Sequence, residues 1–123
     1  MMHSWRSHKY NLPETLVRWI CFSLDPRWSR SQKHQLIDNN AGPQAFIDGY
    51  TPLEINQMQT QALQSTASFL QKSNHHCVVI GDNFFPDLLA QIPDPPLLLY
   101  AVGDLALLQS PCLAIVGSRR PTE

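Results

Sequence analysis

The spacing of apolar residues changes at Cys77, and that change limits what each half of the chain can build. Before it, apolar side chains recur three and four residues apart. Leu16, Trp19, Ile20 and Leu24 gather on one face of a helix that Pro13 can start, because a first-turn proline forfeits no intrahelical hydrogen bond. Asp25-Pro26 ends that helix. Ser31 is placed to cap a second helix carrying Leu36 and Ile37, and Asn39-Asn40-Ala41-Gly42-Pro43 stops it with residues that tolerate left-handed backbone, followed by proline. A short turn holding Ala45, Phe46 and Ile47 comes next. Thr51-Pro52-Leu53-Glu54 then reads as a capping box with proline at the first helical position, opening a helix whose stripe is Ile55, Met58, Leu63, Ala67 and Leu70. Residues 11–73 are thus expected to form a small all-helical bundle.

At Cys77 the pattern becomes short and β-branched. Cys77-Val78-Val79-Ile80, closed by Gly81-Asp82, is expected to be a buried strand. Pro86 can open a short helix through Asp87, Leu88 and Leu89, after which Pro93, Pro95 and Pro96 force an extended connection. Leu97-Leu98-Leu99-Tyr100-Ala101-Val102 reads as a second strand ended by Gly103, with Asp104 capping a turn from Leu105 to Leu108. Cys112-Leu113-Ala114-Ile115-Val116 reads as a third. Wholly apolar strands usually lie in a sheet covered on both faces, which points to the start of an α/β unit, so the chain as a whole is expected to be α+β.

Composition removes several classes of function. Among 123 residues, 15% are charged and the net charge is −1, so any nucleic-acid site must be local rather than a broad basic field. No apolar run approaches the roughly 20 residues of a membrane-spanning helix, and Met1-Met2-His3-Ser4-Trp5-Arg6 leads into no apolar segment of a secretory signal. A cytoplasmic protein without membrane partners is expected. Cys21, Cys77 and Cys112 are odd in number and widely spaced, which suits reduced thiols; His75-His76-Cys77 has no second cluster to complete a zinc site, so no metal and no cofactor are assigned.

The most informative stretch is Val116-Gly117-Ser118-Arg119-Arg120-Pro121-Thr122. A glycine at the carboxyl end of a buried strand lets the backbone turn where ligands of open α/β sheets bind. Ser118 and the Arg119 or Arg120 guanidinium could meet phosphate oxygens there. A Gly-Ser turn with surface arginines fits the same residues, and residue type alone weighs the two readings equally. A dinucleotide fingerprint needs glycine where Arg119 stands, and no Gly-Lys-Ser or Gly-Lys-Thr of a P-loop occurs. Paired arginines suit a nucleic-acid backbone better.

The residues from Phe85 onward resemble the DNA-processing protein A (DprA/Smf) family. The likeness is carried, in order, by Phe85-Pro86, Leu88-Leu89, Ile92-Pro93-Asp94-Pro95-Pro96, Leu99-Tyr100, Gly103-Asp104-Leu105-Ala106-Leu107-Leu108 and Leu113-Ala114-Ile115-Val116-Gly117-Ser118-Arg119. Ala41-Gly42-Pro43-Gln44-Ala45-Phe46 is a looser match to the family's Gly-x-Pro-x-Ala segment. The resemblance implies a tail over residues 1–10, a helical, SAM-like domain over 11–75, and the beginning of a Rossmann-like DNA-binding domain over 76–123. It implies a binding protein rather than an enzyme, one that protects incoming single-stranded DNA and mediates loading of RecA in natural transformation (competence) and DNA recombination. Carried over by position, Gly117 supplies the backbone turn, Ser118 a phosphate hydrogen bond, Arg119 the principal cation and Arg120 an additional one.

Two departures from the family pattern bear on function. Where relatives have a Gly-x-Gly hairpin between the first two helices, this chain has Asp25-Pro26-Arg27-Trp28-Ser29-Arg30, so a hairpin contact to DNA is not expected. The loop reads as a solvated one with a core-facing indole, although Arg27, Trp28 and Arg30 are of the types that hold a strand by charge and stacking. The sequence stops at Glu123, before the remainder of the family's core, DNA pocket and homodimer surface, so the fragment alone is expected to show little activity. Two other readings stay open at this stage. One is the opening of a nucleotide-binding α/β enzyme of the lysine-decarboxylase-like phosphoribohydrolase type; the other is an inactive truncated product.

Overall fold

The computed structural model describes residues 9–52 and 54–106. Along these the order is α1 (Glu14–Ser23), α2 (Arg30–Asn39), α3 (Pro43–Gly49), α4 (Gln57–Leu70), β1 (His75–Val79), α5 (Asp87–Ala90) and β2 (Leu98–Val102). The chain is α+β: helices first, then a small antiparallel sheet. Residues 107–123 lie outside the described residues, and with them the expected third strand over 112–116.

Helix α1 begins after Pro13 and ends at Leu24, near the expected limits, but it buries more than one stripe. Val17, Trp19, Ile20, Cys21 and Phe22 are all buried, so its carboxyl half is enclosed by α3, α4 and the sheet. Helix α2 corrects the expected start. Its cap is Ser29 rather than Ser31: the Ser29 hydroxyl accepts from the Gln32 amide at 3.2 Å, and Gln32 Oε1 accepts from the Ser29 amide at 2.9 Å. Ser29 has a glutamine three residues on, which closes the reciprocal pair; Ser31 has His34 there. The stop behaves as expected, with Ala41 at φ 67° and Gly42 at φ 103°. Residues Ala45, Phe46 and Ile47 form not a turn but the body of α3, which Pro43 opens at its first position.

The Thr51–Glu54 capping box is also overturned. Thr51, Pro52, Glu54 and Ile55 precede α4, which is capped by Asn56: its side chain accepts from the Gln59 amide at 2.8 Å while Gln59 Oε1 accepts from the Asn56 amide at 2.9 Å. Gln59 also donates from Nε2 to the Cys21 carbonyl at 2.9 Å, a bond to the last turn of α1 that holds α4 in its place. The stripe of α4 shifts accordingly. Gln59, Leu63 and Thr66 are buried, whereas Met58, expected inside, is 47% exposed.

Strand β1 pairs antiparallel with β2, with Cys77 opposite Tyr100, Val78 opposite Leu99 and Val79 opposite Leu98. Alternation then sends Cys77, Val79, Leu98 and Tyr100 toward the helices, and Val78 and Leu99 toward Phe85, Leu89 and Leu105. Both faces are covered along Cys77–Val79 and Leu98–Tyr100, the apolar stretch of each strand, whereas His75, His76 and exposed Val102 lie at the open end. The helical core does not close by itself, because Leu97 and Leu98 lie in one cluster with Trp19, Phe22, Ile47 and Leu63. Two further contacts tie the halves. His34 donates from Nε2 to the Pro95 carbonyl at 2.6 Å, and Gly81, at φ 90°, turns so close to Pro43 that a Cβ would stand 3.0 Å from its ring. Only glycine satisfies both the dihedral and the approach.

Candidate functional site

The expected phosphate site, Gly117, Ser118, Arg119 and Arg120, lies outside the described residues. The segment leading toward it is described as far as Ala106. Gly103 ends β2 at φ 120°, and the Asp104 carboxylate accepts from the Ala106 amide at 3.0 Å, so the expected cap is formed.

Within the described residues, polar chemistry concentrates on the loop joining α1 to α2. Asp25 is buried and accepts four hydrogen bonds: from Arg27 Nε at 3.0 Å, Arg27 Nη2 at 2.8 Å, the Arg27 amide at 3.0 Å and the Tyr50 hydroxyl at 2.8 Å. Burial alone would raise the Asp25 carboxyl, but the bonds from Arg27 and Tyr50 outweigh it and hold the group down at about 2. The Tyr50 hydroxyl is pushed up, first by burial and then by donating to this carboxylate. The pair therefore stays as carboxylate and phenol across the physiological range. Lys33 is buried nearby and donates to the Ser23 carbonyl at 2.8 Å, placing a cation at the carboxyl end of α1. Burial lowers the Lys33 ammonium and Asp25 opposes that shift.

Arg27 and Trp28 are organised together. The Arg27 guanidinium lies 4.3 Å over the Trp28 ring, and Trp28 leans on Phe22 with ring centroids 6.1 Å apart. The indole faces the core, as the sequence suggests. Beside it Phe46 stacks on Tyr50 at 6.0 Å, and these groups with Leu36, Asn40, Ala45, Gly49 and Thr51 line a cleft of about 320 Å³. Arg18 fixes the far wall, donating to the carbonyls of Asp48 and Tyr50 at 2.9 Å and so capping α3. Arg30, the third residue of the loop singled out by type, is exposed at the first position of α2 and does not line the cleft.

Sequence reasoning found Arg27 and Trp28 but not their partners. Asp25 read only as a helix terminator, while Phe46 and Tyr50, four apart, carried a signal for a shared aromatic face that went unused. The histidines of the His75-His76-Cys77 run point to backbone carbonyls, His75 to Ser73 at 2.8 Å and His76 to Gly103 at 3.0 Å. No group of three or more potential metal ligands occurs among the described residues. Cys21 and Cys77 are free thiols, each pushed up to about 12 by burial, with Asp25 adding to the effect at Cys21. Among the described residues no helix is long and apolar enough to cross a membrane.

Residues 76–123 match the model of the family described as DNA recombination-mediator protein A. The chain is also 36% identical over 98 residues to Protein Smf of Escherichia coli (strain K12), a match that spans 75% of this chain and 24% of that protein. The chain thus covers about a quarter of the length of this curated relative. No solved structure matches it significantly. A match over 75% of the chain cannot fit within residues 76–123, so the likeness extends into the helices as well as through the run from Phe85 to Arg119. On these grounds the chain belongs to the DNA-processing protein A (DprA/Smf) family.

Proposed function

We propose that this chain contributes to a DNA recombination mediator that holds single-stranded DNA, protects incoming strands and assists the loading of RecA in natural transformation. The observation that carries the reading is the family match over residues 76–123, which encloses the loop Gly117-Ser118-Arg119-Arg120. In this reading residues 11–75 are a helical, SAM-like domain, and residues 76–123 open a Rossmann-like domain. Gly117 turns the backbone at the end of a strand, Ser118 donates to a phosphate oxygen, and Arg119, with Arg120, supplies the cation. The role is binding rather than catalysis, in the cytoplasm.

Because the family is that of a recombination mediator, the phosphoribohydrolase reading is not carried forward. The net charge of −1 fits a local contact over a broad electrostatic one, so individual arginines should count. The test is Arg119→Ala in a protein carrying this sequence, followed by anisotropy with a labelled oligonucleotide across a salt series. Loss of one phosphate contact should weaken binding with little base preference and reduce the slope of log affinity against log salt by about 0.7. Arg120→Ala should do less. Unchanged affinity and slope in Arg119→Ala would remove this residue from the interface.

A further inference from the structure

The cleft between the α1–α2 loop and α3 has no part in the function proposed above. Its rim is a guanidinium fixed in advance. Arg27 Nε and Nη2 are bound to Asp25 and the group lies over Trp28, while the side chain is 43% exposed. Asp25 is only 5% exposed, so the guanidinium is the solvent-facing member of this ion pair. A guanidinium already held in place loses little freedom when it meets an anion.

The floor beside that cation is aromatic. Trp28 and Phe46 are half-buried, and Phe46 stacks on Tyr50. Among the described residues no carboxylate lines the cleft, while Asn40 and Thr51 add polar atoms to it. At about 320 Å³ it stands at the small end of ligand pockets, enough for one base with its sugar and too small for a duplex. An aromatic floor next to a positioned cation is how single strands are held without regard to sequence, the base lying on the rings and the phosphate on the cation.

We infer that this cleft takes one nucleotide of single-stranded nucleic acid, its base against Trp28 and Phe46 and its phosphate on Arg27. The contact uses residues other than 117–120 and does not rest on that reading.

The test follows the indole N–H resonances of the full chain during titration with oligothymidylate. The Trp28 signal is expected to shift saturably while that of Trp19, 1% exposed, stays in place. Ala45 lines the cleft from the exposed side of α3, so it can be changed without disturbing the core. Ala45→Glu should weaken the affinity read at Trp28 by about fivefold or more, the lower range for one stacked base, whereas Ala45→Lys should not weaken it. Arg119→Ala should leave the Trp28 response intact. A Trp28 signal that stays still, or equal affinities for Ala45→Glu and Ala45→Lys, overturns the inference and leaves the cleft to a protein partner. Loss of the Trp28 response in Arg119→Ala overturns it too, while sparing the reading of residues 117–120.

Discussion

Replacing Asp25 by asparagine should reveal how much of the fold hangs on one buried carboxylate. The side chain is 6% exposed and accepts four hydrogen bonds, three from Arg27 and one from Tyr50, which joins the α1–α2 loop to the end of α3. Asparagine keeps the shape but not the charge. Because the folded-state value of Asp25 lies below its ordinary one, its contribution is complete above about pH 5 and is lost as pH falls through about 2. The displacement from 3.8 to about 2 corresponds to about 2 kcal/mol. Arg27 is 43% exposed, so solvent trims its share, and the bond from buried Tyr50 is the least screened.

Urea unfolding followed by circular dichroism between pH 6 and pH 3 measures this difference. At pH 6 Asp25→Asn should lower the midpoint by about 1 M, given a slope of roughly 1–3 kcal/mol per molar urea. By pH 3 the gap between the two proteins should narrow by about 1 kcal/mol, because the carboxyl then protonates readily in the unfolded chain and not in the folded one. The other carboxylates are common to both proteins and cancel. A gap that is the same at pH 6 and pH 3 would refute the assignment of a depressed, stabilising Asp25.

Three further outcomes follow from the corrected caps and the buried thiols. Ser29→Ala should cost about 1 kcal/mol in a urea melt, while Ser31→Ala, at an exposed helical position, should cost less than about 0.5 kcal/mol; the reverse order would restore Ser31 as the cap. Gln59→Ala removes both the capping-box partner of Asn56 and the donor to the Cys21 carbonyl, and should cost about 2 kcal/mol; a loss below about 0.5 kcal/mol would show that this bond does not seat α4. Cys21 and Cys77, both pushed up to about 12 by burial, should resist iodoacetamide at pH 8 in the folded protein and react once urea unfolds it, as read by peptide mass spectrometry. Rapid labelling in the native state contradicts the burial of Cys21 and, at half-buried Cys77, the raised thiol.

The sequence by itself determined most of the elements and where they stop, α3 excepted, because those are settled by local forces. The proline before α1, the left-handed pair Ala41-Gly42 after α2, the glycines closing both strands and the change of period at Cys77 act over a few residues and read the same in any context. The run from Phe85 to Arg119 likewise carried the family. Tertiary structure decided among local signals that competed. Two serines could cap α2, and two boxes could open α4. Ser29 prevails over Ser31 through its glutamine three residues on, itself a local pair, whereas Asn56 prevails over Thr51 in a register where Gln59 also meets the distant Cys21 carbonyl. That register turns Met58 outward and buries Thr66 against the Tyr100 hydroxyl at 2.7 Å. The antiparallel pairing of β1 with β2, the burial of Leu97 and Leu98 among the helices, and the bond from Tyr50 to Asp25 depend on residues far apart in the chain. Periodicity says which face of an element is apolar, but not what that face meets; only the packed chain brings the partners within bonding distance, where desolvation and hydrogen bonding set the charge states of buried groups.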